Sequence, residues 1–374
     1  MSSKLTVVAK IGTSSLTDSS GVIAADAIAS VCHQVAQLRS RGYDVIVVTS
    51  AAVAAGLEAL GFTTRPADIL TLQAVSAVGQ SRLMRAWDDA FAGVGLVSGQ
   101  VLVTPNEFFD RRQYLHIRDT LRRMLSLGVV PVINENDAVA DDELRFGDND
   151  RIAALIAHLI DADVMVLLTD TSGLYTADPR TDPNAQLIEH VDSVTPELEA
   201  AAGSGGTARG SGGMSSKLRA AKIASFSGIR AVIAGARRPG ALVDAVDGVA
   251  GVGTVVAPHV RQLTARKLWI GFAGDERGTL VVDEGAKRAL IERGASLLPA
   301  GVLEVTGDAD EGDIVAICGP DRQPFARGVS RVSADVAHRS KGRRNSELAA
   351  EGSPVFVHAD DLVLLDPPAS RDHA

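Results

Sequence analysis

The chain has 374 residues, 46% hydrophobic, 22% charged and 4% aromatic, with a net charge of −9. That length exceeds the ~250 to 300 residues at which single cores stop growing, so two domains are expected, and the apolar content excludes a disordered chain. The acidic balance excludes a protein built mainly around nucleic acid, which needs a basic face to displace counterions.

In chain order, short β-branched runs alternate with helical patterns. LTVVAKI (5–11), DVIVVTS (44–50), VSGQVLVT (97–104), VVPVINE (129–135), DVMVLLTD (163–170) and AVIAG (231–235) read as strands, separated by amphipathic stretches such as AADAIASVCHQVAQLRSRG. Alternating βα units with continuously apolar strands predict an α/β fold, a mostly parallel open sheet covered by helices on both faces. Such sheets bind ligands beyond the carboxyl ends of their strands. There the sequence places Lys10 and Gly12 after the first strand, Ser50 and Ala51 after the second, Asn134 and Asp137 after the fourth, and Thr169 and Asp170 after the fifth.

FGDNDRIAALIAHLI (146–160) sets polar residues against the mouth of a helix whose Ile152, Leu155, Ile156 and Leu159 share one face. Asp148 or Asn149 suits an N-cap, and Asp150 the positive end of the helix dipole; a site role stands beside that capping role. Further on, GSGGTARGSGG (203–213) opens directly into MSSKLRAAKIASFSG, with Ser215, Ser216 and Lys217 in the first turn. A plain linker is one reading of the glycines. A helix start that receives phosphate is favoured, because N–H groups and dipole there attract anions. No Walker A ending and no dinucleotide fingerprint occurs, yet a glycine-rich loop with two lysines at strand and helix ends points to phosphoryl transfer. From residue 278 the pattern changes to short alternating strands, a second and smaller β-rich domain.

Cys32 and Cys318 lie far apart and form neither a disulfide framework nor a zinc spacing. The N-terminus lacks the regions of a signal peptide and no 18 apolar residues run together, so a cytoplasmic protein without membrane contact is expected.

The segments VVAKIGTSSL, VTSAAVAAG, AVGQSRL, VPVINENDAVA, FGDNDRIAAL, LLTDTSGLYTADPR, GSGGMSSK and VDEGAKRALIERGASLLPAGV resemble the glutamate 5-kinase family across residues 4–365. The resemblance implies an amino-acid-kinase-like domain (1–258), a linker (259–277), a PUA-like domain (278–357) and a tail (358–374). It implies ATP and Mg²⁺ as cofactors, L-glutamate as substrate and the first step of proline synthesis as the reaction. Lys10, Lys217 and Asp150 would then be catalytic. Lys10, Gly12, Thr169, Asp170, Ser211, Gly212, Gly213, Met214, Ser215, Ser216 and Lys217 would bind the nucleotide. Ser50, Ala51, Asn134, Asp137, Asp148 and Asn149 would bind glutamate. Feedback inhibition by proline and a homodimer or homotetramer are further implications.

Ala51, Leu72 and His116 depart from the resemblance, the last two standing where Lys and Asn are expected, and a basic cluster stands outside it. Ala51 replaces a glycine usual at that point, and its Cβ disfavours φ > 0, which bears on the glutamate pocket or its loop. Arg339, Lys341, Arg343 and Arg344 form a basic cluster in the second domain, but acidic residues outnumber basic ones there, so a structural or regulatory role is expected ahead of RNA binding. The competing reading of the whole chain is a regulatory or RNA-binding protein with a decayed kinase site. The presence of Lys10, Asp150, Asp170 and Lys217 weighs against it.

Overall fold

The computed structural model describes residues 4–18, 20–108, 110–139, 149–203, 213–259, 263–274, 276–343 and 355–365. The chain divides into two compact units, Met1–Gln262 and Leu263–Ala374.

In the first unit the elements run β1 (Thr6–Ile11), α1 (Thr13–Leu16), α2 (Ala25–Ser40), β2 (Asp44–Val48), α3 (Ala52–Leu60), α4 (Ile69–Gly93), β3 (Ser98–Val103), α5 (Arg111–Ser126) and β4 (Val130–Glu135). They continue with α6 (Asn149–Leu159), β5 (Val164–Thr169), β6 (His190–Val191), α7 (Pro196–Gly203), α8 (Met214–Phe226), β7 (Arg230–Gly235), α9 (Ala241–Asp247) and β8 (Gly253–Val256). Among the described residues the strands form one eight-stranded sheet in the order β3-β4-β2-β1-β5-β7-β8-β6. All pairs are parallel except β7 with β8. The expected mostly parallel sheet is present, and all six strands read from the sequence lie in it. β4 and β5 are buried at every position, as continuous apolar runs require when helices cover both faces. β1 lies between β2 and β5, so the loop after it sits at the centre of the sheet's carboxyl edge.

Helix starts fall into two kinds. α4 and α5 begin at Asp68 and Asp110, whose carboxylates accept from Thr71 N and Gln113 N, each at 2.8 Å. α3 and α8 begin after Ala51 and Gly213 with no side-chain cap. Both follow segments that the sequence assigns to ligand binding. α3 and α4 cross at very short range: a Cβ on Gly79 would fall 1.8 Å from the Ala52 carbonyl oxygen, and one on Gly56 1.9 Å from that of Val75. Only glycine permits that approach, which fixes α4 against the segment that follows β2.

The second unit comprises α10 (Ala265–Leu268), β9 (Glu276–Val282), α11 (Glu284–Arg293), β10 (Val302–Gly307), β11 (Ile314–Cys318), β12 (Pro324–Ser330), α12 (Ala334–Ser340) and β13 (Val357–Leu364). Among the described residues its strands form a five-stranded sheet, β10-β9-β11-β12-β13, over a core that includes Leu280, Val282, Leu290, Ile317 and Phe356. Two expected boundaries shift. Residues 263–274 are no simple linker, because Ile270 is buried against Val329 and Val363, with Leu263 and Trp269 packed alongside. The first part of the tail expected from 358 is strand, since β13 pairs with β12 as far as Leu364. β13 is buried at Val357 and again at Asp361, Leu362 and Val363, and His358, Ala359 and Asp360 between them break the apolar pattern.

Candidate functional site

Asp150, the second residue of α6, is 1% exposed. Its carboxylate bridges two lysines: Oδ1 lies 2.7 Å from Lys10 Nζ, at the end of β1, and Oδ2 lies 3.2 Å from Lys217 Nζ, in the first turn of α8. Ser216 Oγ donates to Oδ2 at 2.6 Å and lies 3.1 Å from the Gly213 carbonyl oxygen. Both lysines are 5% exposed. Burial opposes ionisation of Asp150, but the two ammonium groups and the hydrogen bonds from Lys10 and Ser216 hold its carboxyl well below the usual aspartate range. Two buried cations against one anion leave an excess positive charge, a strong attractor for phosphate. A Cβ on Gly12 would lie 3.5 Å from Lys10 Nζ, so glycine keeps side-chain atoms away from that ammonium.

Neither Asn149 nor Asp150 spends its side chain in the way a cap does. Asn149 Oδ1 accepts from the Glu135 backbone N at 3.2 Å, tying the start of α6 to the end of β4. Of the polar residues of FGDND, Asn149 and Asp150 therefore direct their side chains across the sheet edge. Asp148, Ser211 and Gly212 lie outside the described residues. Gly213, Met214 and Ser215 form the uncapped start of α8 beside Ser216 and Lys217.

Next to this charged centre stands a group of neutral and acidic side chains. Ser50 is buried after β2, and Thr49 beside it accepts from the Trp87 indole at 3.0 Å. Ala51 adopts φ 84° and ψ 13°, the left-handed geometry a glycine would take. The loop keeps that shape despite its Cβ, which is buried in the core cluster with Ala52 and Ala55. Asn134, the next-to-last residue of β4, and Asp137, two residues past its end, are 2% and 8% exposed. Asn134 Nδ2 donates to Gln80 Oε1 at 2.7 Å, and Ser76 Oγ donates to Asp137 Oδ2 at 2.6 Å. Burial pushes the Asp137 carboxyl up, against the Ser76 hydrogen bond and the positive charge of Arg65. Thr169, buried at the end of β5, donates through Oγ1 to Asp170 Oδ1 at 3.1 Å, and Asp170 itself is exposed.

Sequence reasoning did not single out Ser76, Gln80 or Trp87. Their signal is faint: Ser76 and Gln80 stand four apart on one helix face around Gly79, inside AVSAVGQSRL. Their partners lie more than 50 residues away.

Comparison with known proteins gives this geometry its family. The amino acid kinase family pattern matches residues 5–235, and the PUA domain pattern matches residues 278–351. Glutamate 5-kinase of Escherichia coli O1:K1 / APEC is 44% identical over 367 residues, covering 97% of this chain and 100% of that protein. Glutamate 5-kinase of Shigella boydii serotype 18 matches with the same identity and coverage. Among solved structures, carbamate kinase from Giardia lamblia bound to AMP-PNP shares 19% identity, with a TM-score of 0.49 over 69% of this chain and 99% of that one. With a kinase domain, a PUA domain and 44% identity along nearly all of its length, this chain belongs to the glutamate 5-kinase family within the amino acid kinases.

Proposed function

We infer that the protein transfers the γ-phosphoryl group of ATP to the side-chain carboxylate of L-glutamate, forming L-glutamyl 5-phosphate and ADP, the first step of proline biosynthesis. The observation that carries this reading is the buried Asp150 carboxylate bridging Lys10 and Lys217 at the carboxyl edge of the sheet.

The chemistry needs no general base. A glutamate side chain has a reference pKa of ~4.3, so the attacking carboxylate is ionised at neutral pH. The barrier lies in bringing that anion to a triphosphate. Lys10 and Lys217 offset the charge, and Asp150 holds their ammonium groups in place, so little reorganisation is needed as charge shifts. Gly213 to Ser216 offer the start of α8 to the phosphates, with Ser211 and Gly212 leading into it, while Thr169 and Asp170 take the nucleotide end. Ser50, the segment at Ala51, Asn134 and Asn149 enclose glutamate, Asp148 keeps the substrate-binding role that the family resemblance implies, and Asp137 pairs with the α-ammonium group.

Mg²⁺ retains several water and phosphate oxygens and asks little of a protein beyond a carboxylate or two. In this reading the ion arrives with ATP and shields its phosphate charge. A cytoplasmic enzyme fits this substrate pair, and no helix among the described residues is long and apolar enough to cross a membrane. Inhibition by proline at the glutamate site and assembly into dimers or tetramers through the kinase domain belong to the same reading, tested by proline titration and by solution mass.

The deciding assay is ADP release by the purified protein with ATP and Mg²⁺, with and without L-glutamate, using aspartate and N-acetylglutamate as controls. Glutamate-dependent release is expected. Release with N-acetylglutamate alone, or with none of the three, overturns the substrate assignment.

A further inference from the structure

Two acceptors at the end of β4 have no hydrogen-bond partner among the described residues: Oδ1 of Asn134 and Oδ1 of Asp137. Both side chains are more than nine-tenths buried. Leaving a buried carboxylate oxygen unpaired is costly, and sites that accept the cost keep the atom for a ligand. One charged and one neutral acceptor suit an ammonium group, which brings three donors and a positive charge.

The remaining polar atoms of both side chains are taken by a single helix. Ser76 donates to Asp137 Oδ2 and Gln80 accepts from Asn134 Nδ2. Gln80 Nε2 in turn donates to Gln100 Oε1 on β3 at 3.3 Å, which orients its amide. Ser76 is 3% exposed, and the α3–α4 crossing at Gly56 and Gly79 holds this part of α4 at fixed height.

We propose that Ser76 and Gln80 are the positioning residues for amino-acid recognition: they clamp Asp137 and Asn134 from α4 and leave one oxygen of each for the substrate's α-ammonium group. This rests on the reading of Asp137 given above. The two members of the clamp differ in one respect. Ser76 touches a titrating group and Gln80 does not. The charge of Asp137 is opposed by burial and supported by the Ser76 hydroxyl and by Arg65, in the stretch ahead of α4. Glu135, two residues earlier at the end of β4, is the other buried acid on that element. Removing the Ser76 hydroxyl takes away one of the two supports, so Asp137 takes up its proton at a higher pH and loses its hold on an ammonium group sooner on acidification.

The test compares the full-length wild type with Ser76→Ala and Gln80→Met, measuring initial rates against glutamate and ATP from mildly acidic to neutral pH. Both substitutions are expected to raise the KM for glutamate roughly tenfold, the order of one hydrogen bond to a charged group, while kcat and the KM for ATP stay near wild type. The acidic limb of kcat/KM for glutamate moves to higher pH in Ser76→Ala and stays in place in Gln80→Met. General loosening of α4 would move both variants alike, so an identical pH profile in the two overturns the proposal, as does an unchanged KM for glutamate. Asp137→Asn separates the layers. An unchanged glutamate KM in that variant refutes the role of Asp137 and the clamp with it, whereas a wild type inert towards glutamate refutes the reaction. Should Ser76→Ala not fold, Ser76→Cys, close in size and a weak donor, carries the same arm.

Discussion

At Asp150 a single carboxylate neutralises half of a buried pair of positive charges, so its loss is expected to tell on both stability and rate. Its pKa is depressed in the folded state, so the stabilisation it gives is fully present above the ordinary aspartate value of ~3.9 and is lost as pH falls through the acidic range below it. Asp150→Asn is expected to cost about 3–5 kcal/mol, because two buried ammonium groups lose their counter-ion, and to flatten acid unfolding in that range. Denaturant melts at neutral and acidic pH check both. Lys217→Ala acts on the charge that shifts in transfer, so it is expected to lower kcat by about 10²–10³ with a much smaller change in the KM for glutamate. Steady-state kinetics decide this, and the reverse pattern removes Lys217 from its role. Ala51 holds a left-handed conformation at φ 84°. Ala51→Gly is expected to raise stability by about 1 kcal/mol, visible as a higher melting temperature, because the Cβ penalty disappears.

At the scale of elements, the site depends on how α3, α4, α6 and α8 begin and cross. The aspartate-capped starts of α4 and α5 are ordinary helix signals, whereas α3 and α8 start without a side-chain cap, as α2 and α9 also do, and are set apart by the segments that precede them. Gly79→Ala sets a methyl against the Ala52 carbonyl and is expected to cost about 1–3 kcal/mol. It displaces the face that carries Ser76 and Gln80, so the KM for glutamate rises more than that for ATP. Thermal melts and kinetics on the same preparation test this. Strands of the parallel sheet were legible because two-sided burial leaves continuous apolar runs. β13 lies in SPVFVHADDLVLL, which reads as strand, but its outer bound was less legible, since His358, Ala359 and Asp360 break the apolar pattern after Val357. The role of α4 was not legible at all, because a serine and a glutamine on a helix acquire meaning only from the strand end they meet.

Across the whole molecule, two units with separate cores account for the change of texture near residue 278. The unit boundary falls earlier, at Leu263, because Ile270 and Trp269 cover Val329 and Val363. A fragment that begins at residue 263 is therefore expected to be more stable than one that begins at residue 278 by about 2–4 kcal/mol, the order of losing a large buried side chain and its neighbour. Melting of the two fragments followed by circular dichroism compares them directly.

The sequence by itself determined the βα alternation, the placement of Lys10, Asp150 and Lys217 at strand and helix ends, the glycine-opened α8 and the two-domain division. Each of these is written in residues close together along the chain, where periodicity, turn chemistry and local motifs act. Only the tertiary structure decided that Asp150 joins Lys10 to Lys217, that Asn149 ties α6 to β4, and that Ser76 and Gln80 hold Asp137 and Asn134. Those partners are brought together by sheet order and by the glycine crossing of α3 with α4. Contacts over such separations depend on how the elements pack and leave almost no trace in local sequence.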